Sequence, residues 1–233
     1  MLQQTSVARV EPAFRRFLEA YPTPEHLAAA NSADVIVAWG DLGYLRRARN
    51  LASAARLIAA RGWPADLTEL PGVGQYTAAA VRTFADGAVV PAVDINLRRV
   101  LSRWSGAALD QRQAQTAAYD EIDPERPGDW NQAMMDLGAT LCRPRAPRCD
   151  ACPVSAWCQD ASIELPTIRQ SRYDGSVRQA RAAALKYLAR SGVGSEAQLV
   201  ASLGLDPAVM REALGALEAE AVVIRDGGTI RLA

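Results

Sequence analysis

The chain has 233 residues, 49% of them apolar and 22% charged, which is enough to build a hydrophobic core and excludes a disordered or low-complexity polypeptide. Acidic and basic residues balance at 26 each, no apolar run approaches the roughly 20 residues needed to cross a bilayer, and the first residues lack the basic start and apolar stretch of a secretion signal. A soluble, cytoplasmic monomer with no membrane partner is expected.

Nearly every segment up to about residue 160 reads as helix. Val7 to Ala20 carries apolar residues at Val7, Val10, Phe14 and Leu18, a helical period, and Pro22 and Pro24 break it. Ser32 to Leu42 reads as a short helix capped by Ser32 or Asp34. Arg46 to Arg61 is Ala-rich and stops at Gly62-Trp63-Pro64. A short helix over Asp66 to Leu70 leads into the tight turn Pro71-Gly72-Val73-Gly74, and Gln75 to Ala85 is helical again. Trp130 to Leu141 is the next clear helix, and all four cysteines follow it. Pro166 to Gly175 is polar and reads as a linker. Beyond it the pattern changes to helices at Val177–Ser191, Ser195–Leu203 and Pro207–Glu220, then two alternating runs joined by Asp226-Gly227-Gly228. Three helices followed by a hairpin predict a winged-helix-like module.

All but one of the 26 basic residues are Arg, and Lys186 is the exception. Any mechanism needing a lysine Schiff base must therefore use Lys186 or do without. The arginines cluster at Arg46, Arg47 and Arg49, at Arg98, Arg99 and Arg103, and at Arg143, Arg145 and Arg148, local basic patches that suit a polyanion.

Cys142, Cys149, Cys152 and Cys158 follow C-x6-C-x2-C-x5-C. Disulfides do not suit a cytosolic chain with every cysteine in one short loop. Structural zinc remains open, although such sites usually present two short Cys pairs around a longer insert. A [4Fe–4S] cluster takes four thiolates from one irregular loop, and the spacing favours it over zinc. The intervening Arg143-Pro144-Arg145-Ala146-Pro147-Arg148, held by metal, has the shape to grip a phosphate backbone.

Leu70-Pro71-Gly72-Val73-Gly74 lies between two helices, and the amides opening the helix at Gln75 point outward at its positive end, which suits a phosphate. Taken alone, this is an ordinary helix–helix turn. About twenty residues on, Asp94 sits in Val93-Asp94-Ile95-Asn96. The commoner role for such an Asp is a helix cap, and the rarer one is a carboxylate that stabilises a developing cation.

Together, Leu70 to Thr77, then Asp94, then the four-Cys loop resemble the helix-hairpin-helix DNA glycosylases that carry an iron–sulfur cluster. Met1-Leu2-Gln3-Gln4-Thr5, Leu42-Gly43-Tyr44 and Asn131-Gln132-Ala133-Met134-Met135-Asp136-Leu137-Gly138 resemble the MutY adenine DNA glycosylases within that superfamily, over residues 1 to about 165. The resemblance implies a mainly α fold with a [4Fe–4S] cofactor on Cys142, Cys149, Cys152 and Cys158. It implies double-stranded DNA with a mismatched or oxidised base pair as partner, a nucleoid-associated location, and adenine opposite 8-oxoguanine flipped out and excised. The domains it implies are an incomplete helix-hairpin-helix barrel over 1–90 and a cluster domain over 91–165. A linker over 166–176 and the winged-helix-like module over 177–233 follow.

By resemblance Asp94 stabilises the oxocarbenium-like sugar, with Tyr76 and Asn96 positioning it and the reaction centre. Tyr76 stands where the lyase branch has its lysine nucleophile, so monofunctional hydrolysis is expected. Gln4 matches a residue wedged into the duplex, Thr5 a contact near the lesion pair, and Leu42 and Tyr44 contacts on the 8-oxoguanine side. Gly72, Val73, Gly74 and Gln75, with Arg143, Arg145 and Arg148, complete the expected DNA surface. Plainer roles are a polar surface residue for Gln4, core for Leu42 and packing for Tyr44. Two departures stand out. The family's catalytic Glu lies two residues before the Met-Leu-Gln-Gln-Thr motif, so a shortened N-terminus with crippled excision is expected. The tail is not the Nudix-like domain of many relatives, and its expected recognition helix carries Asp206, Glu212, Glu218 and Glu220 against only Arg211, which predicts a packing or protein-contact role. Alternatives are a same-fold glycosylase for another mismatched base and a non-catalytic lesion-binding protein.

Overall fold

The computed structural model describes residues 1–2, 5–166, 172–220 and 222–233. In chain order the helices are α1 (Val7–Ala20), α2 (Pro24–Ala29), α3 (Ser32–Trp39), α4 (Arg46–Arg61), α5 (Gln75–Asp86), α6 (Ile95–Ser105), α7 (Gln111–Glu121), α8 (Pro127–Asp136), α9 (Val177–Ser191), α10 (Glu196–Leu203) and α11 (Pro207–Ala219). Strand β1 (Val193–Gly194) follows α9, and β2 (Val223–Asp226) and β3 (Thr229–Leu232) follow α11. Among the described residues no helix is long and apolar enough to cross a membrane. The chain forms two compact units: one holds the described residues of 1–65, 70–72 and 169–233, the other 66–69 and the described part of 73–168.

Helix punctuation in the first unit is local. Gly62, at φ +78, ends α4 where a side chain would be strained. Asn31, rather than the expected Ser32 or Asp34, caps α3, its Oδ1 accepting from the Asp34 amide at 2.8 Å. Helix α1 ends before Pro22 and Pro24 as expected, and Pro24 also opens α2 at its first position, where no amide is needed and Thr23 caps. On α1 the buried face is Val10, Ala13 and Phe17, whereas Val7, Phe14 and Leu18 of the predicted stripe are exposed. Small Ala13 lets the helix approach closely, and Phe17 meets Trp39 edge-on at 6.0 Å.

The C-terminal part of this unit has three helices and a sheet ordered β1-β3-β2, all antiparallel, with Arg225 opposite Ile230 across the hairpin. Its core is Leu185, Leu188, Leu199, Met210, Leu214, Leu217 and Ile230, and it includes Ile36 from α3, with Ala33 and Leu45 at its margin. On the same α3, Val35 and Trp39 belong to the N-terminal core with Val10, Phe17 and Ala48. Glu220 fastens the module polarly. Its carboxylate accepts from both terminal nitrogens of Arg181 at 2.9 and 2.7 Å, and its carbonyl accepts from Arg49 Nη1 at 2.6 Å. Two further arginines of the module face its own acids: Arg211 and Arg225 meet Glu196, and Arg225 meets Glu218.

The second unit packs α6 on α7 and α8 around Leu97, Val100, Leu101, Ala114, Ala118 and Met134. Helices α6 and α7 are not delimited by apolar period alone, because Arg99, Ser102 and Arg103 share the buried face of α6. Helix α8 begins at Pro127, earlier than the sequence suggests, and its last turn, Leu137–Leu141, widens to a π-turn.

The hydrogen bond from Arg181, followed by the charges of Arg181, Arg46 and Arg49, holds the Glu220 carboxyl below the usual carboxylate range. A depressed pKa means stability present above the unfolded value and lost as pH falls through the folded one. Glu220→Gln is therefore expected to lower the melting temperature by about 2–4 °C at neutral pH, for ~1 kcal/mol in a partly exposed pair. The gap to the parent closes on acidification toward pH 3, which differential scanning fluorimetry across pH reads out.

Candidate functional site

Asp94 is the N-cap of α6, and the capping geometry is what fixes its carboxylate. Oδ1 accepts from the Asn96 and Leu97 amides at 2.9 and 2.7 Å, and Oδ2 accepts from the Asn96 side-chain amide at 2.9 Å. Three of about four acceptor positions are thus occupied, and the carboxylate cannot rotate. Tyr76 lies in the first turn of α5, with its hydroxyl 3.9 Å from Met135 Sδ. Burial, then the negative charge of Asp94, raises the Tyr76 pKa, so the phenol keeps its proton and remains a donor through neutral and mildly alkaline pH. The structure thus joins Asp94 to Asn96 and sets the Tyr76 hydroxyl against Met135 of α8.

The extended segment leading to Asp94 has no strand partner, so side chains satisfy its backbone. Asn131, fully buried on α8, accepts from the Ala92 amide at 2.7 Å and donates to Val90 and Pro127 carbonyls and Thr83 Oγ1. From α7, Gln115 and Gln111 donate to the carbonyls of Pro91 and Val93, each at 2.9 Å.

Behind Asp94, α6 carries two arginines that sequence reasoning placed in a basic patch for a polyanion. Arg99 is 4% exposed and Arg103 2%, so neither is free for DNA. Arg99 donates to Asn96 Oδ1 at 3.0 Å, the Gly138 carbonyl at 2.7 Å and the Cys142 carbonyl at 2.7 Å. The π-turn brings Gly138 against Asn96, where a Cβ would come within 2.8 Å of the Asn96 Cβ. Arg103 donates to the carbonyls of Ile163, Arg143 and Pro144 and to Cys142 Sγ at 3.3 Å. Both were missed because the pattern shows only charge; their four-residue spacing on the face shared with Val100 was the available signal.

Cys142, Cys149, Cys152 and Cys158 line one cavity of about 130 Å³, together with Arg103. Burial, then the charges of Cys142 and Cys149, pushes the Cys158 thiol up. Among the described residues no group of three or more His, Cys, Asp or Glu could hold a single metal ion. In the loop between the first two cysteines the carbonyls of Arg143 and Pro144 turn in to Arg103, Ala146 takes a φ of +47, and Arg143, Arg145 and Arg148 are exposed.

Of the remaining predicted DNA contacts, Gln4 lies outside the described residues. Leu42 is 4% exposed and part of the N-terminal core, the plainer of the two roles read for it. Tyr44 is 43% exposed, and Thr5 Oγ1 accepts from Arg47 at 3.1 Å. Gly72, at φ +80, lies so close to Asn50 that a Cβ would come within 2.6 Å of its Nδ2. Gly74 caps α5, and it and Gln75 are exposed, with Val73 partly so.

Residues 1–121 match the HhH-GPD superfamily of base excision DNA repair proteins. An adenine DNA glycosylase of Mycolicibacterium smegmatis is 42% identical, aligned over 96% of this chain and 81% of that one. The chain belongs to this superfamily, in the adenine DNA glycosylase family. It is a DNA N-glycosylase, a hydrolase, of base-excision repair. The adenine DNA glycosylase of Mycobacterium tuberculosis H37Rv is 38% identical over 97% of this chain and 80% of its own, and the human one 40% identical over 68% and 32%. Among solved structures, a thermostable thymine-DNA glycosylase matches with a TM-score of 0.63 at 28% identity, covering 68% of this chain and 78% of that one. A trapped endonuclease III–DNA covalent intermediate matches at 0.61 and 25%, covering 69% and 79%.

Asn131→Ala leaves the Ala92 amide and two carbonyls short of partners in a buried place. We expect a loss of about 3 kcal/mol with an unchanged urea m-value, read from the denaturation midpoint.

Proposed function

We propose that this glycosylase removes adenine paired with 8-oxoguanine by monofunctional hydrolysis of the N-glycosidic bond. The observation that carries the reading is the Asp94 carboxylate, held by two α6 amides and the Asn96 side chain. As the bond to adenine lengthens, positive charge grows on the sugar, and a fixed carboxylate stabilises it without reorganising. Tyr76, protonated and near that charge, orients the reacting group by hydrogen bonding. The relatives named adenine DNA glycosylase support adenine as the base. Lys186, the only lysine, lies on α9 and outside the Tyr76 and Asp94 motifs, which supports a route without a lysine Schiff base.

The four thiols fit a [4Fe–4S] cluster. They share one cavity, and Arg103 supplies a buried positive charge to the Cys142 sulfur. When bound, the cluster would hold the loop shape. Arg143, Arg145 and Arg148 then grip phosphates of a mismatched duplex, joined by the amides at Gly74 and Gln75. Iron analysis of anaerobically purified protein is expected to give about four irons per chain and no zinc, and Cys149→Ala to lose the iron.

The deciding experiment is single-turnover base release from 8-oxoguanine:A, G:A and G:T duplexes. It uses residues 1–233 and a chain carrying a Glu two residues ahead of Met1. Adenine release from the 8-oxoguanine pair is expected with the Glu-bearing chain. Asp94→Asn in that chain lowers it at least about 100-fold while duplex affinity stays within about threefold. Borohydride should trap no covalent adduct. Preferred release of thymine, or binding with no release by either chain, would sink the reading.

A further inference from the structure

Resting on the adenine reading above, we propose that Arg47 is a positioning residue that makes the Leu42–Tyr44 turn and the segment at Thr5 into one preformed surface for the base opposite adenine. The turn is not self-supporting. Gly40, Gly43 and Tyr44 have φ of +65, +71 and +48, and Tyr44 has a side chain to strain in that conformation. Trp39 Nε1 donates to the Gly43 carbonyl at 3.0 Å, and the Arg47 amide donates to the Tyr44 carbonyl at 2.8 Å.

The Arg47 side chain completes the arrangement. Its guanidinium carbon lies 5.0 Å from the Tyr44 ring centroid and 5.5 Å from that of Trp39, in reach of both ring faces. Its edge donates to the Met1 carbonyl and to Thr5 Oγ1, each at 3.1 Å, and the Leu42 carbonyl lies at 3.5 Å. One planar group thus touches both segments assigned to the lesion pair, and it does so partly buried rather than reaching out toward phosphate. Its neighbours differ: Arg46 is exposed, and Arg49 bonds the Glu220 carbonyl. A lysine keeps the charge but has neither the flat face nor the fork, so it cannot hold ring and hydroxyl at once.

The role concerns which base is read, not how the bond breaks. Equilibrium binding to uncleavable 8-oxoguanine:A and G:A duplexes and to an undamaged duplex therefore tests it without turnover, using the parent, Arg47→Met and Arg47→Lys. The parent is expected to prefer the 8-oxoguanine pair. Both variants should lose about tenfold of that preference while undamaged-duplex affinity stays within about twofold. Arg47→Lys carries the test should Arg47→Met fail to fold by circular dichroism. Unchanged preference in Arg47→Lys overturns the proposal, as does an equal loss on all three duplexes, which marks a phosphate contact. A parent with no preference overturns the 8-oxoguanine reading itself, and this proposal with it.

Discussion

A guanidinium taken out of water costs several kcal/mol unless its donors are met, and α6 buries two of them in adjacent turns. The chain answers mainly with backbone carbonyls rather than carboxylates: Gly138, Cys142, Arg143, Pro144 and Ile163. All but that of Ile163 belong to the π-turn and the cysteine loop, so satisfying the two charges fixes where that loop runs. Arg99 also holds the Asn96 amide, which in turn holds Asp94. The Asp94 carboxylate and the first cysteine are thereby tied to one helix, and the second unit behaves as a scaffold with the candidate site at one end and the cysteine loop alongside.

This arrangement explains an irregular stretch of chain. Residues 90–93 approach Asp94 without strand pairing, and three amide side chains from α7 and α8 supply what a neighbouring strand would have supplied. Widening the end of α8 to a π-turn frees the Gly138 carbonyl and permits the close contact with Asn96 that a larger residue would prevent. A local irregularity of this kind is retained where a site needs it.

Much of the architecture could be read before any coordinates. Gly62, Gly74 and Pro207 punctuate helices for reasons contained in their own backbones, and the alternation around Asp226-Gly227-Gly228 yields the hairpin. Asp94 was legible as a helix cap, and it caps α6 with a carboxylate that the capping amides immobilise. Long-range partnership was not legible. Helical spacing with Val100 hints that Arg99 is buried, but nothing local names the carbonyls it serves, because the acceptors lie some forty residues away. Likewise α1 offers two apolar stripes, and only the position of Trp39 decides which turns inward.

Helix α3 gives Val35 and Trp39 to one core and Ile36 to another, and that shared ownership bears on synthesis. The core that holds Val35 and Trp39 draws only on the first 55 residues, whereas the one that holds Ile36 cannot close until the last helices and the hairpin have left the ribosome. The first unit is thus a structure of high sequence separation, slow to nucleate, with Ile36 and Leu45 uncovered meanwhile. The tail is in this sense less an appended module than the late half of an early domain, and a nascent chain must wait for it.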